Sequence, residues 1–558
     1  MQPSYEVEMR LNVKVAMRDG VELSADLYLP HGPGKFPTVL MRTPYSNNMD
    51  VAIEKGRSLA NRGYACVIQD IRGRWDSDGR YYPFHNDGED GYDTQEWIGR
   101  QEWSDGKIGM AGSSYGGSVQ WLSAPHRSKY LACTAPRVIC TEYHGGLIHP
   151  GGAFQLNVAM TWGMRTNGRT GQSIDYHDWT NAFRALPLIE MDGLAGRDLD
   201  FWKDWIEHPG YDDYWKAIDV QDKWGEIAAP ALNMGGWYDL YSADAFTNFN
   251  GLRQNGRTEE SRRSKLIVGP WPHQLSQSTK TGDVDFGAGS KVDLDALEER
   301  WFDYWLKGID NGIVDEPPLR LFIMGTNQWR DEHEWPLART DWQKWYLHSG
   351  GGANSVRGDG VLSLDQPRAE PNDSYVYDPL YPVQTMGGNN CCSPDIVPWG
   401  PYDQRPVEMR HDVLCYTTEP LDADMEVTGP IKVVLYAATD GPDTDWTTKL
   451  VDVSPTGYAM NLCDGIVRAR YRESRSNATL LTAGKVYEYE IDVGVTGNVF
   501  RRGHQVRIEV SSSNFPRFDR NLNTGNELGK DAEIRVAQQT VCHTAEYPSH
   551  ILLPIVPA

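Results

Sequence analysis

The N-terminal quarter of the chain alternates short apolar runs with a segment of helical periodicity. Residues 6–16 and 21–29 show the alternating pattern of strands and are joined by a short polar turn. Residues 36–43 and 64–69 are compact apolar runs that are typical of buried strands. Between them, residues 53–62 have the spacing of an amphipathic helix that ends at a glycine. Strands that alternate with helices in this way predict a parallel sheet with crossover helices.

A strand, a glycine turn and a helix follow each other around Ser114. A helix is predicted at residues 89–99, a short strand at 108–111 and the next helix at 118–123. The turn between the last two, Gly112-Ser113-Ser114-Tyr115-Gly116, fits the pattern G-x-S-x-G. In a nucleophile elbow such a turn holds its serine in a strained conformation at the edge of a sheet. Ser114 is therefore a candidate nucleophile, and the alternative is an ordinary glycine turn.

The pattern changes after about residue 142 and the strands return near residue 230. Residues 144–228 form helix-like segments that are broken by turns and are rich in aromatic side chains. An insertion of this kind at a strand end predicts a helical cap over the active site. Most of its aromatic side chains would form the core of the cap, and the sequence does not say which ones face Ser114. The sheet then resumes at residues 231–234 and 265–268 and closes at 319–324.

The last part of the chain shows no helical periodicity. Short alternating runs occur at residues 433–438, 447–453, 486–493 and 505–511, separated by Gly, Pro, Asn and Asp. This pattern predicts an all-β sandwich. A sugar-binding module would give the same pattern, so a binding role for this part remains open.

We therefore predict an α/β fold that is divided into four segments. Two segments, residues 1–143 and 229–344, form one α/β domain around the predicted elbow. Residues 144–228 form the helical cap, and residues 345–558 form the C-terminal all-β domain.

A base and an orienting acid follow Ser114 in the chain order of an α/β-hydrolase triad. That order is nucleophile, then Asp or Glu, then His. Asp239 comes a few residues after the apolar run at 231–234, and His273 stands in the same relation to the run at 265–268. Both residues are therefore expected in loops at the carboxyl ends of strands, where open α/β sheets place their ligands. Ser114, Asp239 and His273 are our predicted catalytic residues.

Four short motifs in fixed order resemble one family of serine hydrolases. They are Arg42-Thr-Pro-Tyr45, Gly112-Ser-Ser-Tyr-Gly-Gly117, Gly235-Gly-Trp-Tyr-Asp239 and Gly269-Pro-Trp-Pro-His273. The chain resembles the CocE/NonD group, which is related to the X-Pro dipeptidyl-peptidases, over essentially its whole length. The resemblance implies an α/β-hydrolase domain with a helical cap and a C-terminal jelly-roll domain. It also implies that the hydroxyl of Tyr45 is one donor of the oxyanion hole.

This assignment predicts a serine esterase that works through an acyl-enzyme. His273 would take the proton of Ser114, and Asp239 would hold the other ring nitrogen of the imidazole. The backbone N–H of Tyr115, which directly follows the nucleophile, would be the second oxyanion donor beside Tyr45. The predicted substrate is a small-molecule carboxylic ester with a bulky acyl group. The alternatives are an amide or β-lactam side-chain acylase, an α-amino-acid ester hydrolase, an X-Pro dipeptidyl-peptidase and a binding protein with a relic elbow.

Two features of the sequence bear on these alternatives. An α-amino-acid ester hydrolase would hold the ammonium group of its substrate with carboxylates of the cap. Residues 144–154 contain no acidic side chain, although Asp212 and Asp213 lie elsewhere in the cap. This weakens the amino-ester alternative without removing it. An X-Pro peptidase would need further N-terminal recognition elements, and none is identifiable in the sequence.

Charge and hydropathy exclude some partners. The chain has 77 acidic and 54 basic side chains and a net charge of −23, which disfavours nucleic acid and anionic membranes as partners. The sequence contains no apolar run of the roughly 18 residues that a membrane span requires. The N-terminal residues have no apolar stretch of a signal peptide, so we expect a cytoplasmic protein. A homodimer is one possibility for the oligomeric state.

The eight cysteines include no C-x-x-C pair. Their spacing indicates neither a disulfide framework nor a zinc site and is compatible with a reducing cytoplasm. We therefore expect no metal and no cofactor, and whether any cysteines pair remains open.

Overall fold

The computed structural model of the chain describes residues 4–175 and 177–557. A mixed sheet with helices forms the first part of the chain, and an almost purely β region forms the second. This arrangement confirms the predicted fold class. No helix in the described part of the chain is long and apolar enough to cross a bilayer.

The first sheet has ten strands within the described residues. In the order of their hydrogen bonding they are Val7–Ala16, Glu22–Pro30, Ala65–Asp70, Phe36–Thr43, Ser104–Ser113, Leu131–Arg137, Leu232–Gly236, Lys265–Gly269, Leu319–Ile323 and Gln328–Glu332.

The sheet is parallel in its centre and antiparallel at both edges. The strands from Ala65–Asp70 to Leu319–Ile323 run parallel to each other. Ala65–Asp70 and Lys265–Gly269 are buried throughout, which explains their unbroken apolar pattern. The hairpin Val7–Ala16 with Glu22–Pro30 adds one antiparallel edge, and Gln328–Glu332 adds the other. The expectation of a parallel sheet is therefore correct for the central strands only.

The helices of the described residues pack against this sheet or form the cap, except for Arg405–Glu408 in the β region. They are Asp50–Asn61, Asp87–Gly99, Tyr115–Ser123, Leu156–Thr166, Trp179–Ala182, Met191–Leu194, Trp202–Glu207, Asp213–Lys216, Ser242–Asn255, Leu294–Lys307 and Arg405–Glu408. Shorter turns of 3₁₀ helix are interspersed, and His144–Ile148 is a single π-helical turn. The described residues between 144 and 228 contain helices and no strand, as expected for a cap.

The second sheet contains eleven strands within the described residues. In hydrogen-bonding order they are Asp373–Tyr377, Ala537–Cys542, Met425–Thr439, His550–Val556, Asp341–His348, Val361–Ser363, Leu414–Thr417, Gln505–Ser511, Asp445–Val453 and Ala459–Arg468, with Tyr487–Phe500 paired to Met425–Thr439.

The two sheets meet along a continuous contact. Strand Asp341–His348 belongs to the second sheet and spans the boundary that the sequence places between residues 344 and 345. The backbone of Met324, just beyond the first sheet, exchanges hydrogen bonds of 2.9 Å with Gly497 and Val499 of the second sheet. The ring of Trp237 packs against Gly497, where a Cβ atom would lie 2.8 Å from the indole. The β region is therefore fixed against the strand ends that carry the candidate site.

Candidate active site

Ser114 lies at the sharp turn between strand Ser104–Ser113 and helix Tyr115–Ser123. Its backbone has φ 58° and ψ −123°, a conformation that is unfavourable for a residue with a side chain. A Cβ atom on Gly112 would lie 2.8 Å from the backbone of Gly116, so the turn requires glycine there. The N–H of Ser114 donates to the carbonyl of Arg137 on the neighbouring strand at 2.9 Å. The serine therefore lies at the carboxyl edge of the sheet in the strained geometry of an elbow.

Asp239 and His273 lie at the same edge and are in contact with each other. They follow strands Leu232–Gly236 and Lys265–Gly269, which are neighbours in the sheet. Nδ1 of His273 is 2.8 Å from Oδ1 of Asp239. The Asp239 side chain is 1% exposed and that of His273 is 11% exposed, so the carboxylate is buried behind the imidazole. A buried carboxylate on Nδ1 fixes the tautomer that leaves Nε2 as a proton acceptor.

Tyr45 follows strand Phe36–Thr43 and extends to the elbow. Its hydroxyl accepts a hydrogen bond of 3.1 Å from the indole of Trp162 in the cap, which leaves the phenolic proton free to be donated elsewhere. Burial raises the pKa of the Tyr45 phenol, and the Trp162 indole and the Ser114 hydroxyl partly offset that rise. Tyr45 therefore stays protonated beside Ser114 and can act as a hydrogen-bond donor.

The backbone at Tyr115 is held in place through its own side chain. The Tyr115 hydroxyl donates to Asp87 at 2.6 Å and accepts from the N–H of Phe84 at 2.8 Å. Asp87 in turn lies 3.5 Å from the guanidinium of Arg42, which is fully buried. Tyr115 is the first residue of its helix, where backbone N–H groups have no intrahelical partner. Its N–H is therefore available to a ligand beside Ser114.

Ser114 and His273 line the same cavity without a hydrogen bond between them in the described structure. The Ser114 hydroxyl lies beside the Tyr45 phenol and partly offsets the rise of its pKa on burial. Hydrogen bonds of catalytic groups are often long or poorly aligned in the absence of substrate. The structure thus brings all five predicted residues to one edge of the sheet.

An inner cavity extends from Ser114 into the cap. No charged side chain of the described residues lines it. Phe84, Tyr115 and Trp162 are stacked in parallel along one wall, with ring centroids of Phe84 and Tyr115 4.9 Å apart. The cap residues that line it are Leu147, Ile148, Val158, Ala159, Trp162 and Trp205. These are the cap side chains facing Ser114 that the sequence could not identify.

An outer cavity on the other side of Ser114 opens to solvent and has a different character. Its wall includes Arg74, Arg137 and Arg165 and no carboxylate of the described residues. Arg137 is neutralised by Glu298 at 2.8 Å. Arg165 donates to the carbonyl of Cys392 at 3.0 Å and forms no ion pair within the described residues. Arg165 therefore gives this cavity an uncompensated positive charge.

Cys391 and Cys392 are disulfide-bonded to each other, whereas the other six cysteines are free and buried. The pair lies beside the candidate site, because Cys392 lines both the inner and the outer cavity. No pattern in the sequence predicts this position. Two adjacent cysteines in a loop do not show which residues, more than a hundred positions away in the chain, they will lie beside. For the same reason the sequence does not place Trp162 beside Tyr45.

Comparison with known proteins places the chain in a family. Residues 19–275 match the X-Pro dipeptidyl-peptidase (S15) family, and residues 311–552 match the X-Pro dipeptidyl-peptidase C-terminal non-catalytic domain. Cocaine esterase of Rhodococcus sp. (strain MB1 Bresler) is 38% identical over 573 residues, which cover 98% of each chain.

Solved structures show the same architecture over the whole chain. An aminopeptidase from a marine sediment Thaumarchaeota archaeon superposes with a TM-score of 0.86 at 26% identity, covering 99% of this chain and 97% of the other. An α-amino acid ester hydrolase superposes with a TM-score of 0.82 at 27% identity, covering 100% and 97%. The chain belongs to the CocE/NonD family of serine hydrolases, related to the X-Pro dipeptidyl-peptidases, and it is a serine ester hydrolase.

Proposed function

We propose that this protein hydrolyses carboxylic esters with a bulky apolar acyl group through an acyl-enzyme on Ser114. The observation that carries the proposal is the inner cavity beside Ser114, which is lined by apolar and aromatic side chains and by no charged side chain of the described residues. Burying an aromatic or branched acyl group there would stabilise the complex by about 25 cal/mol for each Å² of apolar surface removed from water. A charged acyl group would lose its hydration without gaining an ionic partner.

In the proposed reaction, Oγ of Ser114 attacks the ester carbonyl while Nε2 of His273 takes its proton. Asp239, 2.8 Å from Nδ1, stabilises the imidazolium that forms. The negative charge on the carbonyl oxygen is accepted by the Tyr115 N–H and the Tyr45 hydroxyl. His273 then returns the proton to the leaving alcohol, and a water molecule activated by the same imidazole hydrolyses the acyl-enzyme.

This sequence of events requires a hydrogen bond from the Ser114 hydroxyl to Nε2 of His273, which the described structure does not show. At rest the Ser114 hydroxyl lies beside the Tyr45 phenol. A carbonyl oxygen that enters the oxyanion hole would accept the phenolic proton there, and the serine hydroxyl would turn toward the imidazole, so that substrate binding itself aligns the nucleophile with its base.

The α-amino-acid ester alternative is less well supported. The aminopeptidase and the α-amino acid ester hydrolase that resemble this chain are named for substrates with an amino group. An ammonium group bound beside Ser114 would need a carboxylate partner, because burying an unpaired charge is costly. Neither cavity has a carboxylate of the described residues in its lining. We therefore expect esters without an α-amino group to be preferred.

A fluorophosphonate probe and a matched pair of serine variants test the nucleophile. Wild type and Ser113→Ala should be labelled at one site per chain, whereas Ser114→Ala should remain folded and unlabelled. The loss in kcat for Ser114→Ala should be of the order of 10⁴ to 10⁶. Labelling of Ser114→Ala at the wild-type rate would show that another residue is the nucleophile.

A pair of esters that differ only in the α-amino group tests the substrate class. Phenylacetate and phenylglycine esters of the same alcohol present the same ring to the inner cavity. The proposal predicts a higher kcat/KM for the phenylacetate ester. A preference for the phenylglycine ester would instead support the amino-ester alternative and would require a carboxylate near the site.

A further inference from the structure

A loop of the C-terminal β region carries the Cys391–Cys392 pair into the candidate active site. The side-chain amide of Asn389 donates to the backbone carbonyls of Trp237 at 2.8 Å and Asp239 at 2.9 Å. On the other side of the pair, Arg165 of the cap donates to the carbonyl of Cys392 at 3.0 Å. The loop is thus fixed on one side to the segment that bears Asp239 and on the other to the cap.

The two sulfur atoms lie close to the imidazole of His273. One ring nitrogen of His273 and the sulfur atoms of Cys391 and Cys392 all lie within 4.8 Å of one another. Nδ1 of His273 is occupied by Asp239, so Nε2 is the nitrogen with a free lone pair. Cys391 is 1% exposed, whereas Cys392 forms part of the wall of both cavities and is accessible from solvent.

We propose that the reduced Cys391–Cys392 pair and His273 form an inhibitory site for a thiophilic divalent metal ion such as Zn²⁺ or Cd²⁺. Two thiolates and one imidazole are a common ligand set for tetrahedral zinc, and the fourth position would face the outer cavity and hold water. Zinc bonds of about 2.3 Å to sulfur and about 2.0 Å to nitrogen place such ligand atoms roughly 3.5 to 3.8 Å apart. In the structure the ring nitrogen lies within 4.8 Å of both sulfur atoms, which are bonded to each other, so reduction must first let the two sulfur atoms separate to this spacing.

The disulfide controls access to this site. When the two sulfur atoms are bonded to each other, neither is a thiolate, and the thiolate is the form that binds metal. A dithiol or phosphine reductant supplies two electrons and the solvent supplies two protons, which convert the disulfide to two thiols while the reductant is oxidised. A divalent ion then displaces both thiol protons to solvent as it binds. Oxidation of the pair by a disulfide reverses the process and releases the metal.

A metal ion at this site would stop catalysis because metal binding and proton transfer both use the lone pair on Nε2 of His273. In the proposed function, Nε2 of His273 accepts the proton of Ser114, and a metal ion on Nε2 prevents this. The inhibitory effect therefore rests on the proposed function of His273, whereas metal binding by the two cysteines does not. The oxidised enzyme should be active in the presence of zinc, and the reduced enzyme should be zinc-sensitive.

The test uses the full-length protein in its oxidised form and after reduction by a phosphine that is then removed without air. Each form is titrated with Cd²⁺, and the ultraviolet thiolate-to-cadmium charge-transfer band reports binding independently of activity. Esterase rate and fluorophosphonate labelling are measured in parallel with Zn²⁺. We expect the reduced protein to show the band and to lose activity at a stoichiometry of one metal per chain. The oxidised protein should do neither, and a chelator should restore the activity.

Cys391→Ser and Cys392→Ser each remove one ligand, and Cys542→Ser, which changes a buried free thiol elsewhere, is the matched control. Each protein is compared with its own metal-free activity, so changes in basal rate cancel. The two ligand variants should need about 10- to 100-fold more Zn²⁺ for the same fractional inhibition. Cys542→Ser should behave as wild type.

Three results would overturn the proposal. They are a reduced wild type without the thiolate band, ligand variants with wild-type zinc sensitivity, and a metal-loaded protein that keeps full esterase activity. A thiolate band in a protein without esterase activity would separate the two claims, because the metal site would stand while the proposed function failed.

Discussion

Replacing Tyr45 by Phe tests the oxyanion hole with the smallest change that the site allows. The hydroxyl of Tyr45 accepts from the Trp162 indole at 3.1 Å, so its own proton is available to an oxygen bound at Ser114. The variant removes that donor and keeps the ring. Loss of one oxyanion donor typically lowers kcat by about 10² to 10³, which corresponds to about 3 to 4 kcal/mol of transition-state stabilisation. The effect on KM should be small because the bond strengthens as charge develops on the carbonyl oxygen.

The same variant should change stability only slightly. Its folded state loses one hydrogen bond, from Trp162, for which a net loss of about 1 kcal/mol is typical. Tyr45 also lines the outer cavity, so water can rehydrate the indole N–H. The control is Trp162→Phe, which removes the donor to Tyr45 and leaves the hydroxyl in place. We expect a decrease in kcat of less than about ten-fold for this control, because the oxyanion donor is retained but is less well oriented.

The assay is steady-state hydrolysis of an aryl ester, normalised to the number of sites that react with a fluorophosphonate. This normalisation distinguishes a folded enzyme with a low kcat from a preparation in which part of the enzyme is unfolded. Thermal unfolding of the same preparations gives the change in stability. If kcat per labelled site stayed within about two-fold of wild type while the melting temperature fell, Tyr45 would be a packing residue and the oxyanion role would be wrong.

Three further predictions concern other parts of the molecule. Asp239→Asn should lower kcat by about 10⁴ without loss of fold, since the amide permits the wrong tautomer of His273; a fully active variant in the same ester assay would exclude the role. Arg165→Gln should raise KM for esters with a carboxylate on the alcohol side more than for neutral esters, because Arg165 is a positively charged side chain without an ion-pair partner in the outer cavity; an equal effect on both would contradict this. Burial raises the pKa of Asp70 to about 7, so between about pH 4 and 7 the folded chain binds a proton that the unfolded chain has lost, and stability falls as pH rises through this window. Asp70→Asn should remove about 3 kcal/mol of this pH dependence between pH 5 and pH 8, the two conditions compared by thermal unfolding, and an identical difference in stability for both proteins would refute the assignment.

The positions of Ser114, Asp239 and His273 could be predicted because each follows a strand that the sequence marks clearly. The runs before Asp239 and His273 are short, apolar and buried on both faces, so their pattern is independent of distant contacts. The glycine at 112 marks the turn because a Cβ atom there would lie 2.8 Å from the backbone of Gly116. Parallel strands place their carboxyl ends at one edge, and this brings the three side chains together.

Other features depend on contacts that no local pattern records. Strand Met425–Thr439 is much longer than the predicted run at 433–438, because Gly429 and Pro430 resemble a break in a strand. The strand continues through them with a shift in register between Ile431 and Lys432, supported by pairing on both sides. Helix Tyr115–Ser123 begins directly after Ser114, three residues before the predicted start. In both cases tertiary packing outweighs the local preference of glycine and proline.

The β region also helps to position Asp239, although the domain it matches is described as non-catalytic. The Asn389 amide donates to the carbonyl of Asp239 at 2.9 Å and to the Ser242 hydroxyl at 3.2 Å, and it is 4% exposed. The backbone of Asp239 is thus held from outside the sheet that carries it. A carboxylate can keep an imidazole in one orientation only if its own position is fixed by buried neighbours and their hydrogen bonds. The β region therefore helps to hold Asp239, and through it the imidazole of His273, in place.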